Sequence, residues 1–197
     1  MKQYTIMRTA GKPEWNNIPE LAADCVLWEP DSGIRAGAAI CYDRENLYVL
    51  LKAAEKDIRA EYTGPLSPVH EDSCLEFFFR PEKEERYLNF EINPNGCFHI
   101  GFGKSRQSRI RVIPPDAGKQ FCIRTDRTPE GWQAEYRIPV DFLKIFYPDF
   151  RCAGMLRANV YKCGDKTAHV HYLAWNPVNT ESPDFHRPEC FGRMDFE

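Results

Sequence analysis

Glu76 is a lone carboxylate inside an otherwise apolar run, Cys74-Leu75-Glu76-Phe77-Phe78-Phe79. An unpaired buried carboxylate is costly, so its side chain has to meet water, a ligand or a partner. Two adjacent carboxylates, Glu71 and Asp72, lead into this run. Hard cations such as calcium take carboxylate and backbone oxygens, so this pair is a candidate calcium site. A second alternating run, Tyr87-Leu88-Asn89-Phe90-Glu91-Ile92, places Asn89 and Glu91 on the same side as Tyr87. Carboxylates so grouped could also serve glycoside hydrolysis, which needs two at a defined separation. There is no Gly-x-Ser-x-Gly, and the eight cysteines form no Cys-x-x-Cys pair, so neither a serine nucleophile nor a zinc or redox motif is indicated.

The elements that must hold these groups are short and strand-like. Runs Tyr4–Met7, Ala22–Trp28, Ile34–Tyr42 and Leu47–Ala54 come first, with Tyr4–Met7 read as an edge strand and Asp43 to Asn46 as a hairpin turn. The segment 58–70 holds Gly64, Pro65 and Pro68 and reads as a long loop. The two runs around Glu76 and Glu91 form a hairpin, and Cys97–Phe102 continues it. A strand follows at Arg109–Ile113. Gln120–Thr125 and Trp132–Ile138 flank the turn Thr128-Pro129-Glu130-Gly131. Val140–Phe146 is the one short helix, with Asp141 near its start and Pro148 beyond its end. Met155–Tyr161, Val170–Trp175 and Cys190–Phe196 close the chain. This succession predicts an all-β fold, an antiparallel, jelly-roll-like β-sandwich, in one domain spanning 1–197.

Composition limits the function. A net charge of −3 gives no basic face for nucleic acid, and no apolar run approaches the length of a membrane span. The N-terminus has no apolar stretch of the kind a signal peptide needs, and the cysteines sit among apolar neighbours as reduced, buried side chains would. Together these favour a cytoplasmic protein, or an extracellular one if the chain is a processed domain.

Four segments in order carry a resemblance: Glu71-Asp72-Ser73-Cys74-Leu75-Glu76-Phe77-Phe78; Tyr87 to Gly96; Gly131 to Pro139; and Trp175-Asn176-Pro177 with Phe185 to Gly192. The order resembles the family 9 carbohydrate-binding modules and their DOMON-like relatives, over roughly residues 20 to 197. The resemblance implies a β-sandwich that binds a mono- or oligosaccharide without chemistry, between aromatic rings and beside carboxylate, amide and Arg groups. It implies no cofactor for chemistry, and structural calcium in some members. Trp175, at a strand end before a Pro-rich loop, is the expected ring platform, and Asn176 beside it a hydroxyl partner. Glu76 falls on a ligand-contacting position, with Asn89 and Glu91 on the same face. Arg157 and Asn159 alternate with apolar neighbours and are expected to face the same cleft. His70 stands where many members carry a second Trp; Trp132 reads as core, and Trp28, ending a strand before Pro30, reads as core with a rim position as the alternative.

Two further readings remain open at this point. Some DOMON-like relatives bind haem through Met and His, and Met155, His169 and His171 are available. A sandwich used only as an interaction module needs no ligand at all. The sequence leaves the sugar and the oligomeric state open.

Overall fold

A computed structural model describes all residues, Met1–Glu197. The strands are β1 (Gln3–Arg8), β2 (Glu20–Ala22), β3 (Cys25–Val26), β4 (Arg35–Tyr42), β5 (Asn46–Ala54), β6 (Cys74–Pro81), β7 (Tyr87–Ile92), β8 (Phe98–Gly103) and β9 (Arg109–Val112). Helix α1 (Ala117–Phe121) is followed by β10 (Arg124–Arg127) and β11 (Gly131–Pro139). Helix α2 (Val140–Phe146) precedes β12 (Met155–Cys163), β13 (Tyr172–Ala174) and β14 (Gly192–Phe196). The protein is all-β.

Two layers face each other. One runs β10-β11-β5-β4, with β2 beside β4; the other runs β14-β12-β6-β7-β8-β9, with β13 and β3 attached to β12. Strand β1 joins them, pairing in parallel with β14 on one side and β4 on the other. The sheet is therefore mixed, not purely antiparallel, and β1 is internal where an edge strand was expected. The alternation of Tyr4 and Ile6, both buried, fits a strand with one face on the core, but only partners distant in sequence decide whether such a strand is an edge.

The inner faces supply a 33-residue apolar cluster. Phe77 and Phe79 of β6 stack at 4.9 Å, Phe79 stacks on Phe90 of β7, and Phe90 meets Tyr136 of β11 across the layers at 6.1 Å. Helix α2 adds Phe142 to this cluster, within the bounds the sequence predicts. Gln120–Thr125 divides differently: α1 occupies its first half, capped by Asp116 accepting from the Lys119 amide, and turns back at Cys122 with φ +50°. Burying Phe121 against Phe142 and Phe90 outweighs the strand-like alternation there.

One polar tie crosses the layers. Lys162, fully buried on β12, reaches Glu55 just past β5 at 3.1 Å. It also donates to the Cys163 carbonyl (3.0 Å) and to His171 Nε2 (2.7 Å). Glu55 accepts in addition from Trp132 Nε1 (2.6 Å) and Ser73 Oγ (3.0 Å). No helix is long and apolar enough to cross a membrane.

Candidate functional site

The odd-numbered side chains of β6 enter the inter-layer core, so the even ones, Cys74, Glu76 and Phe78, face the other way. That outer face of the β6–β7–β12 layer is itself covered. Phe78, Tyr87, Tyr161, Cys163, Val178, Phe185 and Phe191 form a second apolar cluster under the loop between β13 and β14. Glu76 therefore lies on a roofed surface rather than in open solvent.

A cleft of about 130 Å³ opens there. Glu76 and Glu91 are register partners on β6 and β7 and form part of its floor with Cys163. Trp28, Tyr172 and Phe185 form an aromatic wall: Trp28 lies 5.4 Å from Tyr172, edge-on, and 5.5 Å from Phe185. His70, Asp165, Asp184, Arg106, Arg109 and His186 supply polar groups around the rim. Arg106 Nε is held by Asp184 at 3.0 Å. Arg109 packs on the His186 ring, whose Nδ1 also meets the Tyr87 hydroxyl at 2.8 Å.

Trp28 holds a left-handed backbone, φ +55°, which a bulky residue rarely adopts. Its indole N–H donates to the Thr180 carbonyl at 2.8 Å, and this bond ties the ring to the covering loop. Strain of this sort persists where the surroundings over-determine it and is concentrated at functional sites.

The two floor carboxyls are pushed apart in protonation. Burial, then the Glu91 charge, raises Glu76 well above the ordinary carboxyl value. Burial opposes ionisation of Glu91 too, but contact with His99, whose Nδ1 is 3.4 Å away, and the nearby Arg109 outweigh it and hold Glu91 at about 2. Adjacent buried carboxyls behave this way because both cannot ionise cheaply. His186 is lowered from 6.5 to about 3, first by burial and then by Arg109. It is thus neutral in the folded protein while the unfolded chain takes up its proton near 6.5, so its contribution to stability falls as pH drops from 6.5 toward 3. Between pH 6 and 4 the slope of unfolding free energy against pH is expected to be shallower in His186→Gln by about 1.4 kcal/mol per pH unit. Urea titrations of both proteins across that range measure this; equal slopes would refute it.

Of the residues expected at the site, Glu76, Glu91 and His70 line the cleft, and Asn89 supports it by donating to Glu91 Oε1 at 2.8 Å. Trp175 does not. It is 3% exposed in the inter-layer core, its ring over Gly192, where an added Cβ would come within 2.5 Å of it. The reason is parity: Ala174 belongs to the outer cluster, so the next side chain points inward. Asn176 and Asn159 join each other instead of a ligand. Asn159 Nδ2 donates to the Asn176 carbonyl and Asn159 Oδ1 accepts from the Asn176 amide, both at 2.8 Å. Arg157 lies at the far end of β12 beside Met1. Asp72 is fully buried, its Oδ2 accepting from the amides of Glu61 and Tyr62 at 3.0 Å and from Asn93 Nδ2 at 2.8 Å. Glu71 is bound to Tyr62 and lies 2.9 Å from Lys166. Met155 and His171 stand at opposite ends of β12, roughly 26 Å apart by strand rise, so they share no haem face.

The missed residues are Trp28, Asp165, Tyr172, Asp184 and the two arginines. The basic stretch from Ser105 to Pro115 and the aromatic Phe185-His186 step were visible signals. Their convergence was not, because it depends on four loops, those carrying Trp28, Arg106, Asp165 and Asp184, folding over one sheet face.

The molecule is thus a β-sandwich with a small polar and aromatic cleft on the outer face of one layer. The model of the carbohydrate-binding family 9 matches residues 13–196, and the chain belongs to that family. A candidate carbohydrate-binding protein from Bacteroides uniformis is similar at 28% identity and TM-score 0.84, over 100% of this chain and 99% of that one. A family 9 module from Caldicellulosiruptor kristjanssonii in complex with glucose shares the fold at 13% identity and TM-score 0.70, covering 100% and 96%. The same organism's module with cellotriose gives 12% identity and TM-score 0.68, covering 100% and 94%. No curated protein matches the chain.

Proposed function

We propose that this cleft binds a saccharide without breaking a bond, and that it takes one sugar ring at a time. The observation that carries this is the meeting of an aromatic wall, Trp28 with Tyr172 and Phe185, and a ring of charged groups in one small recess. Sugars present C–H faces to aromatic rings and hydroxyls to fixed polar groups, so both sets are needed together. A volume of about 130 Å³ is small beside the roughly 300–1,000 Å³ of a drug-sized pocket, which favours one ring over a long chain segment. Glu91, ionised and held by Asn89, is an acceptor for hydroxyls; Arg109 and Arg106 are donors. Family membership and the glucose and cellotriose complexes of the Caldicellulosiruptor module support the same ligand class.

Calorimetric titration with glucose, cellobiose, cellotriose, xylobiose and their alditols tests it. Binding of at least one sugar is expected, weakened about tenfold or more in Glu91→Gln and in Trp28→Ala, since each loses roughly 1.4 kcal/mol or more of contact. No heat from any sugar with folded protein would refute the reading. Split carboxyls also serve glycosidases, so release of reducing ends is assayed on the same panel; none is expected.

A further inference from the structure

Four carboxylic side chains are buried: Glu55, Asp72, Glu76 and Glu91. Three face a basic side chain: Glu55 has Lys162 at 3.1 Å, Asp72 has Arg59 at 3.3 Å, and Glu91 has His99 at 3.4 Å. Glu76 has no ion-pair partner. What it meets is sulfur: Cys163 Sγ lies 3.1 Å from Glu76 Oε1. Cys74 is two residues before Glu76 on the same face of β6, and Cys163 is the register partner of Cys74 on β12. The ligand atoms of Cys74, Glu76 and Cys163 lie within 4.8 Å of one another, and the residues are 0%, 3% and 2% exposed.

Two thiols and a carboxyl converging without an ion-pair partner in contact is a donor set for a thiophilic cation. Zinc takes cysteine sulfur at about 2.3 Å and carboxylate oxygen at about 2.0–2.2 Å in a tetrahedron. Donors around it then stand roughly 3.5–3.8 Å apart, within a small side-chain adjustment of the present cluster. Calcium and magnesium prefer oxygen alone and do not suit this set. The remaining direction is set by the cleft: Glu76 and Cys163 line it, and Cys74 lies beneath. We propose that Cys74, Glu76 and Cys163 bind one zinc-class divalent cation under the cleft floor, leaving the fourth position open to the cleft. Water or a ligand hydroxyl would complete the shell there. The site does not depend on the saccharide reading, and metal binding is measured with no sugar present.

The test uses reduced protein carrying Cys122→Ser, which removes the one exposed thiol. Cadmium is the probe because thiolate-to-cadmium charge transfer reports sulfur ligation directly; zinc is then added in competition. One equivalent of cadmium is expected, with a charge-transfer band displaced by zinc. The band should fall by about half in Cys74→Ser and in Cys163→Ser, with affinity weakened at least about tenfold in each. Glu76→Gln should weaken affinity by a similar factor while keeping the two-thiolate band, which a purely structural role of Glu76 would not do. If the serine variants fail to fold, the cadmium NMR shift of the Cys122→Ser protein decides: a two-sulfur environment upholds the site. Absence of stoichiometric cadmium, an oxygen-only shift, or a band that survives in a folded Cys74→Ser/Cys163→Ser protein would overturn it.

Discussion

Trp175→Ala is expected to lower unfolding free energy by about 3–5 kcal/mol, the range for removing a large buried aromatic. The ring sits in the inter-layer core over Gly192, and the Trp175 amide donates to the Val160 carbonyl at 2.8 Å. Deleting it leaves a cavity where β13, β12 and β14 meet, and backbone bonded on both sides cannot collapse into it. Urea unfolding measures the loss. Trp28→Ala should behave in the opposite sense: a smaller stability loss and a larger loss of sugar binding. Were Trp175→Ala to unfold within about 1 kcal/mol of wild type while losing sugar binding, Trp175 would be a ligand platform and the core assignment would fail.

The second large effect concerns the tie between layers. Lys162→Met removes the only basic partner of Glu55 while Trp132 and Ser73 still hold its carboxylate in place. Breaking a buried pair from one side costs about 3–5 kcal/mol, because the remaining charge has neither water nor a counter-ion. Replacing both partners by apolar groups, Lys162→Met with Glu55→Leu, should recover much of that loss; charge burial, not side-chain volume, is then the cause. His171 takes part, since its Nε2 accepts from Lys162 while its Nδ1 is 2.6 Å from the His169 carbonyl. Those partners assign the proton to Nδ1. Burial, then Lys162, lowers His171 to about 4, which keeps it neutral as an acceptor at neutral pH. If Lys162→Met and the double variant proved equally stable, the Glu55 charge would be compensated elsewhere.

The amino-acid sequence by itself determined most of the strand runs, the hairpin of β6 and β7 and the helix at Val140–Phe146. All of these follow from side-chain alternation and from turn residues, which act over a few positions and can be read locally. It could place Asn89, Glu91 and Tyr87 on one side of β7 for the same reason. Only the tertiary structure decided which side of each strand meets the other layer and which meets a loop. That choice put Trp175 inside and Trp28 at the cleft, although both end short strand-like runs before proline-containing loops. It also made β1 an internal parallel strand, because its partners β4 and β14 lie some thirty-five and a hundred and ninety residues away. The polar rim is the extreme case: Arg109 on β9, Asp165 after β12 and His186 before β14 become neighbours only once the loops close over the sheet. No local pattern encodes a contact whose residues are tens of positions apart, since burial of the whole outer cluster, rather than any one segment's preference, holds those loops in place.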